Sequence, residues 1–306
     1  MAPGDRMPET SMFRRKAILF AGIVMMFLGG CSQEHSHMQM TGFTQADVKH
    51  GEYEAEVFGC QDCHTVRQVD GLHLDQHLIL AGGVPMPGLE GSFTYSPNVT
   101  ISSQYPEQVL DDTIRGRLMY KFRMPTDLYN GMSADDMRDL VAYLKTLRPI
   151  LHRPLPDDEL PPGFVMPAPN PREPIPEHEP PVGTIKRGRY LSKIFVCQEC
   201  HSPRTAGGGY VQGQLFQGGG LQWPLPDGHL LIAPNITPDR ETGIGAWSDD
   251  EIIRALRTGV ARDGRQLNPL MPYLTAYHDM TNQDAKDLVR FLRTVTQARR
   301  SWPSSQ

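Results

Sequence analysis

Apolar residues at helical spacing predict a long helix at two places in the chain. One helix is expected from Ser133 to about Arg148, and the other from Thr281 to about Arg299. Four apolar residues share one face of each helix: Leu140, Val141, Leu144 and Leu147 in the first, and Leu288, Val289, Leu292 and Val295 in the second. Each face is suited to packing against another helix.

Capping residues predict where three further helices begin. Thr44 and Thr184 are suited to cap helices that lead toward two cysteine motifs. Ser248 and Glu251 have the spacing of a capping box at the start of a helix over residues 248–257. Between the helices the chain is rich in glycine and proline, with Gly 29 and Pro 27, which indicates turns and irregular structure.

The helices occur twice because the chain contains two copies of one ancestral domain. An offset of 137 residues relates "KHGEY" (49–53) to "KRGRY" (186–190), Gly82-Gly83 to Gly219-Gly220, and "SPNVT" (96–100) to "APNIT" (233–237). The offset grows to 148 in the closing helices, because the second copy has gained about ten residues in "DRETGIGAWSDDE". We therefore place the first copy at residues 44–148 and the second copy at 184–300.

The segment between the copies, residues 149–183, contains 12 of the 27 prolines. This composition excludes a helix and favours extended, polyproline-like chain. The segment is either a free linker or a strap that packs along both copies. Its scattered apolar residues favour the strap: Ile150, Leu151, Leu155, Phe164, Val165 and Met166.

The N-terminus has the charge-then-apolar order of an export signal, with three basic residues ahead of the apolar run 17–28. The run is too short to span a bilayer comfortably. It ends in Leu28-Gly29-Gly30-Cys31, which resembles the lipobox of bacterial lipoproteins. That resemblance implies a signal peptide over 1–30, lipidation of Cys31, a tether over 31–43, and a location on the periplasmic side of a bacterial cell membrane. An ordinary cleaved signal is the alternative.

The charge of the chain bears on its partners. A net charge of -5 argues against a nucleic-acid-binding protein, which needs a basic face. Removal of residues 1–30 takes away four basic and two acidic residues and leaves a net charge of -7. This balance favours a partner with a basic docking patch.

Each copy contains one Cys-x-x-Cys-His motif: Cys60, Cys63 and His64 in the first, and Cys197, Cys200 and His201 in the second. A zinc ribbon would need its two cysteine pairs about 15–20 residues apart, and a thioredoxin-like dithiol would need a βαβ context. Neither condition is met. Cys-x-x-Cys-His is the attachment signature of c-type haem, in which two thiols bond to one porphyrin and the adjacent histidine binds the iron. The sequence therefore predicts two covalent haems.

A haem iron bound by one histidine needs a second axial ligand if it is to transfer electrons rather than bind small molecules. Met124 and Met271 are the candidates, since both precede a proline and lie before the closing helix of their copy. The competing methionines are interpreted as packing residues: Met119, Met132 and Met280. His73 and His77 could form a bis-histidine site, but their expected partners in the second copy are Tyr210 and Gln214.

The chain from Lys49 to the last helix resembles tandem class I cytochrome c domains. The segment "APNITPDRETGIGAWSDDEIIRALRTGVARDGRQLNPLMPY" is similar to the cytochrome subunits of bacterial alcohol, gluconate and aldehyde dehydrogenases. The resemblance implies an all-α fold of two tandem domains, and backbone carbonyls of Pro97 and Pro234 facing the ring N–H of His64 and His201. Those subunits usually have three haems and a different anchor, so this departure leaves the dehydrogenase partner open.

These features predict an electron-transfer protein with two haem c groups. Methionine ligation favours ferrous iron and raises the reduction potential. The expected partners are an electron-donor dehydrogenase, an acceptor in the respiratory chain, and membrane lipid through Cys31. No catalytic residue is expected. The alternative is a dihaem enzyme of the peroxidase or thiosulfate-dehydrogenase type, which would need an iron without a methionine ligand.

Overall fold

The computed structural model describes residues 42–87, 93–118, 124–158, 168–172, 174–205, 209–225 and 228–302. The chain divides into Met1–Met38 and Gln39–Gln306, and every described residue belongs to the second unit. The predicted signal segment and Cys31 lie outside the described residues. Within the described ranges, no helix is both long enough and apolar enough to cross a membrane.

The first copy is mainly helical. Its helices are α1 (Gln45–Val57), α2 (Cys60–His64), α3 (Glu107–Ile114), α4 (Thr126–Tyr129) and α5 (Ala134–Thr146), with a 3₁₀ helix over Thr100–Gln104. Strands β1 (Pro85–Pro87) and β2 (Phe93–Tyr95) pair antiparallel, with Met86 opposite Thr94. Helices α1 and α5 pack against each other.

The second copy repeats this order, but its described residues form no counterpart of the 3₁₀ helix or of α4. Its helices are α6 (Ile185–Ile194), α7 (Cys197–His201), α8 (Asp249–Thr258) and α9 (Asn282–Leu292), and its strands are β3 (Gln222–Pro224) and β4 (Leu230–Ile232). The strands pair antiparallel, with Trp223 opposite Leu231. The all-α expectation was therefore incomplete, because each copy also contains a short hairpin. Strands of three residues within Gly- and Pro-rich loops are too short to give an alternating pattern.

The predicted helix starts are confirmed. The side chains of Thr44 and Thr184 accept hydrogen bonds from the third backbone N–H of α1 and α6, and Ser248 forms both bonds of its capping box. The closing helices begin after Ser133 and Thr281 as expected, but α9 ends at Leu292 rather than near Arg299. The chain beyond α9 instead bonds to a loop: the carbonyl of Ala298 accepts from Asn235, and its N–H donates to Thr237.

The first and last helices of each copy cross at a glycine. A Cβ atom at Gly51 would lie 1.8 Å from the carbonyl oxygen of Asp139, and one at Gly188 would lie 2.0 Å from that of Asp287. No side chain fits at such distances. Glycine at these two equivalent positions lets α1 contact α5, and α6 contact α9, backbone to backbone.

Backbone hydrogen bonds correct the alignment of the two copies by one residue. The N–H groups of Gly82 and Gly218 donate to the carbonyls of His64 and His201, at 2.7 and 2.8 Å. The equivalent of Gly82 is therefore Gly218, not Gly219. The cause is a loop one residue shorter in the second copy, residues 206–208 against 69–72. By the same shift, the partners of His73 and His77 are Gly209 and Gly213 rather than Tyr210 and Gln214, so neither is a histidine.

The proline-rich segment bonds to the first copy at both of its ends. Near its start, Asn98 donates to the carbonyls of Ile150 and His152 at 2.9 and 3.1 Å, and His152 Nδ1 donates to the carbonyl of Ala81 at 2.9 Å. Near its end, the carbonyl of Pro176 accepts from the N–H of Ala134 at 2.8 Å. These contacts favour a strap over a free linker.

Polar groups, rather than the predicted apolar ones, make these contacts. Leu151 is fully exposed and Leu155 is 63% exposed. Asp157 and Asp158 instead accept hydrogen bonds from the backbone N–H groups of Tyr95 and Phe93 in β2, at 2.8 and 2.7 Å. Of the other apolar candidates, Ile150 is half-buried and residues 164–166 lie outside the described ranges.

Two tyrosines join the copies in a reciprocal way. Tyr53 in α1 donates to the carboxylate of Asp284 in the first turn of α9, and its oxygen accepts from the N–H of Thr281 at 3.2 Å. Tyr190 in α6 donates to Asp136 in the first turn of α5, and its oxygen accepts from the N–H of Ser133 at 2.9 Å. The same two bonds are thus made in both directions, as in an interface with two-fold symmetry.

Glu54 is a buried carboxyl group in α1. It is 2% exposed, and neither carboxylate oxygen has a hydrogen-bond partner among the described residues. His50 Nδ1 lies 3.5 Å from Glu54 but only 2.9 Å from Asp139. Burial and the negative charge of Asp136 raise the pKa of Glu54 well above its ordinary value. The equivalent residue of the second copy is Leu191, also 2% exposed, so a carboxyl group occupies an apolar position.

Loss of either tyrosine hydroxyl should weaken the contact between the copies. Tyr53→Phe and Tyr190→Phe should each lower the free energy of unfolding by about 1.5–3 kcal/mol, because each removes a hydrogen bond to a charged group. Chemical unfolding of the full chain measures the change. Tyr105→Phe is the control, since this side chain is 45% exposed and its hydroxyl has no hydrogen bond among the described residues. Equal effects of all three substitutions would contradict the reciprocal contact.

Glu54→Leu should raise the free energy of unfolding by about 1–3 kcal/mol, since it removes a buried, unsatisfied carboxyl group. The folded pKa of Glu54 is raised, so the folded chain retains a proton that the unfolded chain releases above about pH 4.3. Stability contributed by this proton is lost as the pH rises toward the folded pKa. The gain from Glu54→Leu should therefore be larger at pH 8 than at pH 5. Glu52→Leu, an exposed position of the same helix, should change stability little at either pH.

Candidate haem-binding sites

Helices α2 and α7 position the two Cys-x-x-Cys-His motifs. In each motif the cysteines are three residues apart on a helix, so both thiols lie on one face. All four thiols are free of disulfide bonds. The residue before each helix has left-handed backbone, with φ of 80° at Gly59 and 51° at Val196. A β-branched residue is strained in this conformation, so the turn before the second motif stores strain that glycine relieves in the first.

Each motif histidine faces a proline carbonyl through Nδ1. The distance from His64 Nδ1 to the carbonyl oxygen of Pro97 is 2.9 Å, and that from His201 Nδ1 to the oxygen of Pro234 is 2.8 Å. A carbonyl oxygen can only accept, so Nδ1 carries the proton in both rings. The lone pair is then on Nε2, which is the nitrogen left to bind a metal.

Burial favours the neutral form of the cysteines and histidines in both motifs. It lowers the pKa of His64 and of His201, which favours neutral imidazole. It also raises the pKa of the Cys60, Cys197 and Cys200 thiols to about 12. Reactive Cys-x-x-Cys dithiols have lowered pKa values, so these thiols differ from those of a redox dithiol. Two neutral thiols beside an imidazole with a free Nε2 fit the donor set of a covalent haem.

Met124 and Met271 lie in equivalent backbone turns. Each is half-buried, and each carbonyl accepts from the N–H two residues further on, at 2.8 Å from Thr126 and 2.7 Å from Tyr273. Of the competing methionines, Met132 and Met280 are fully buried among apolar side chains, and Met119 lies outside the described residues.

A tyrosine ties each methionine turn to the cysteine motif of the same copy. Tyr129, at the end of α4, donates to the carbonyl of Phe58 at 2.8 Å, two residues before Cys60. Tyr277 makes the same bond to the carbonyl of Phe195, two residues before Cys197. The bonds hold the segment that follows each methionine against the residue two before each first motif cysteine. Phe58 and Phe195 are equivalent at the offset of 137 residues, and Tyr129 and Tyr277 are equivalent at the offset of 148.

The segments around the two cysteine motifs also contact each other across the copies. The rings of Phe58 and Phe195 lie 6.0 Å apart, and Thr275 of the second copy donates to Asp62, inside the first motif, at 2.8 Å. Sequence reasoning missed this proximity, because nothing in either copy alone indicates how the copies pack. The one feature of the sequence that could have indicated the contact is the pair of equivalent tyrosines, Tyr53 and Tyr190.

His73 and His77 are both exposed. His73 Nδ1 pairs with Asp70 at 2.7 Å, in the loop that follows the first motif. This loop contains the one-residue difference between the copies, and the second copy has glycine at both equivalent positions. The arrangement gives no support to a bis-histidine site.

Comparison with known proteins agrees with this geometry. Residues 186–296 match the family model of cytochrome c. The chain is 38% identical over 122 residues to a nicotinate dehydrogenase subunit of Pseudomonas putida, covering 40% of this chain and 9% of that protein. It is 38% identical over 129 residues to the gluconate 2-dehydrogenase cytochrome c subunit of Pantoea cypripedii, covering 40% and 27%. A diheme cytochrome c-type protein of Cereibacter sphaeroides is 33% identical over 113 residues, covering 37% and 36%.

In each case this chain spans little more than a third of the relative's length, or less. The matched family model corresponds to the second copy, which contains α6 to α9 and the motif at 197–201. The first copy makes the same imidazole–carbonyl and tyrosine–carbonyl bonds. Residues 186–296 are a cytochrome c domain, in a chain that is similar to the cytochrome c subunits of bacterial dehydrogenases.

Proposed function

We propose that the chain is a dihaem c-type cytochrome that transfers electrons between a dehydrogenase and a respiratory-chain acceptor. One observation carries the proposal: both copies contain the same donor set in the same setting. In each, two unpaired thiols precede an imidazole whose Nδ1 donates to a proline carbonyl. Two tandem class I domains, 44–148 and 184–300, each with one haem, account for the repetition.

The proposal assigns a role to each site residue. Cys60 and Cys63 would attach one haem, and Cys197 and Cys200 the other. The iron ligands would be His64 with Met124 in the first copy and His201 with Met271 in the second. Pro97 and Pro234 would fix the orientation and basicity of the two imidazoles. When bound, haem supplies a one-electron couple between ferric and ferrous iron, whose potential the axial methionine raises.

The contact between the residues that precede the two cysteine motifs supports electron transfer within the chain. Phe58 and Phe195 precede the two motifs and lie ring against ring. Electron transfer needs a short separation between the two sites and no proton movement at a substrate, and these aromatic rings pair across the two copies. The chain therefore suits transfer from one site to the other better than chemistry at either.

The names of the relatives support the proposed partners, and the N-terminal sequence supports the proposed membrane anchor. Two of the relatives are named as subunits of a nicotinate and a gluconate dehydrogenase, which supports a dehydrogenase as donor. The lipobox-like sequence ending at Cys31 supports a lipid anchor, facing the periplasm. Two or more acyl chains are needed for stable attachment, since one chain binds only marginally.

Methionine ligation separates an electron carrier from a dihaem enzyme. The oxidised protein should contain two haems by pyridine haemochrome assay and show the weak far-red band of methionine-bound low-spin ferric haem. Met124→His and Met271→His should each remove about half of this band and lower the potential of one haem, because the ligand that favours ferrous iron is lost. Met132→Leu, at a fully buried methionine, is the control and should leave the band intact.

The same samples test the alternative. With both irons six-coordinate, the reduced wild-type protein should bind carbon monoxide slowly or not at all. A wild type with one high-spin haem that binds carbon monoxide readily and reduces peroxide would contradict the proposal, and a dihaem peroxidase would then explain the chain better.

Lipidation requires the thiol of Cys31. Cys31→Ala should leave the protein unprocessed at its signal or free of the membrane, because no acyl chain can be attached. Membrane fractionation and intact mass measure the outcome. A variant with wild-type membrane partition and the same mature mass would exclude the lipobox assignment.

A further inference from the structure

The reciprocal packing of the copies forms a groove beside α6. It has a volume of about 410 Å³ and lies between α6, the α4 segment of the first copy and residues 170–171 of the strap. Three of its lining residues are the cations Lys186, Arg189 and Lys193 of α6. Spacings of three and four residues place them in one row along the helix.

The three cations are exposed. None forms an ion pair with another described residue, although the chain as a whole is acidic. The guanidinium of Arg189 lies 5.7 Å from the centre of the Phe291 ring, which holds it in place without neutralising it. The one carboxylate that lines the groove, Asp127, lies 3.5 Å from Arg204. The groove therefore has an excess of positive charge.

The equivalent region of α1 has the opposite charge. Lys49, Glu52 and Glu56 occupy the positions of Lys186, Arg189 and Lys193. The region also contains His278 and Asp279, the equivalents of Asn130 and Gly131. His278 Nε2 lies 3.5 Å from Glu56 and 3.0 Å from Asp279. One cation and three carboxylates thus replace three cations and one carboxylate. Because the backbone is repeated, the difference lies in the side chains and not in the fold.

Residues that line the groove beside α6 are near both candidate sites in the sequence. Asp127 follows Met124 by three residues, and Lys193 precedes Cys197 by four. Asp127 and Lys193 both line the groove, so the chain connects it directly to the methionine turn of the first copy and to the cysteine helix of the second.

We propose that this groove is the docking site for a carboxylate-rich surface of a protein redox partner; the inference rests on the proposed electron-transfer function. Net charge alone predicts a basic partner. At physiological salt, however, charges more than about 8 Å away are largely screened, so the local cations decide the encounter. A protein surface fits better than an anionic membrane, because a flat bilayer cannot enter a groove between two helices.

The test uses the haem-loaded full chain and a synthetic polyglutamate peptide as the acidic probe. Isothermal titration at low salt should give one peptide per chain. Charge reversal by Lys186→Glu, Arg189→Glu and Lys193→Glu should weaken binding by about tenfold or more, since it inverts the charge of the groove. The matched control is Arg148→Glu, Arg153→Glu and Lys286→Glu, which changes the net charge equally at exposed positions outside the groove.

A second variant introduces the cations of the groove into the equivalent region of the first copy. Together with Lys49, Glu52→Arg and Glu56→Lys give the α1 region the three cations of the α6 groove, and Asp279→Gly removes its remaining carboxylate. The stoichiometry should then rise from one peptide to two. Equal weakening by the groove and control variants, or no binding by the wild type, would overturn the proposal. Binding of phosphatidylglycerol vesicles without binding of the peptide would overturn it in favour of a membrane surface. Haem content is measured on the same samples, so a chain without two haems counts against the proposed function rather than against the groove.

Discussion

The structure depends on the close crossing of two helices at a glycine. The backbone of α1 contacts that of α5 only because Gly51 has no side chain, and α6 contacts α9 through Gly188 in the same way. This crossing fixes where α1 and α6 end, and the cysteine motifs follow within three residues. It also fixes the first turn of α5 and α9, where Asp136 and Asp284 accept from the tyrosines of the other copy. The crossing inside each copy therefore positions the residues that join the two copies.

On this shared backbone the two copies differ in the side chains that face the same positions. His50 contacts Asp139 where the second copy has Arg187 bound to Asp284 and Glu179. Glu54 stands where the second copy has Leu191, and Gly59 where it has the strained Val196. A buried carboxyl, a histidine contact and a relaxed turn thus lie just before the first motif alone. The two sites share their donor atoms but have different electrostatic surroundings, and such surroundings tune the potential of a bound iron.

The sequence was most informative where a signal is local. Thr44, Thr184 and Ser248 cap their helices as predicted, because a cap needs only a side chain and a backbone N–H three residues away. The spacing of each motif likewise predicts its donor set. Predictions from the sequence were wrong where the structure depends on contacts between residues far apart in the chain. α9 stops early because Ala298 bonds to a loop about 60 residues earlier in the chain, and the strap is bound by Asp157 and Asp158 instead of its leucines.

The contact between the copies could not be predicted from one copy, but it follows from comparing the two. Tyr53 and Tyr190 are equivalent, and so are Asp136 and Asp284, yet in neither copy does the tyrosine bond to its own aspartate. Each pair is completed only across the interface, as in a symmetric dimer. A dimer of identical chains would have the same residues in both grooves. Because the copies here are joined in one chain, α1 can present carboxylates where α6 presents cations, while the bonds that hold the copies together stay the same in both directions.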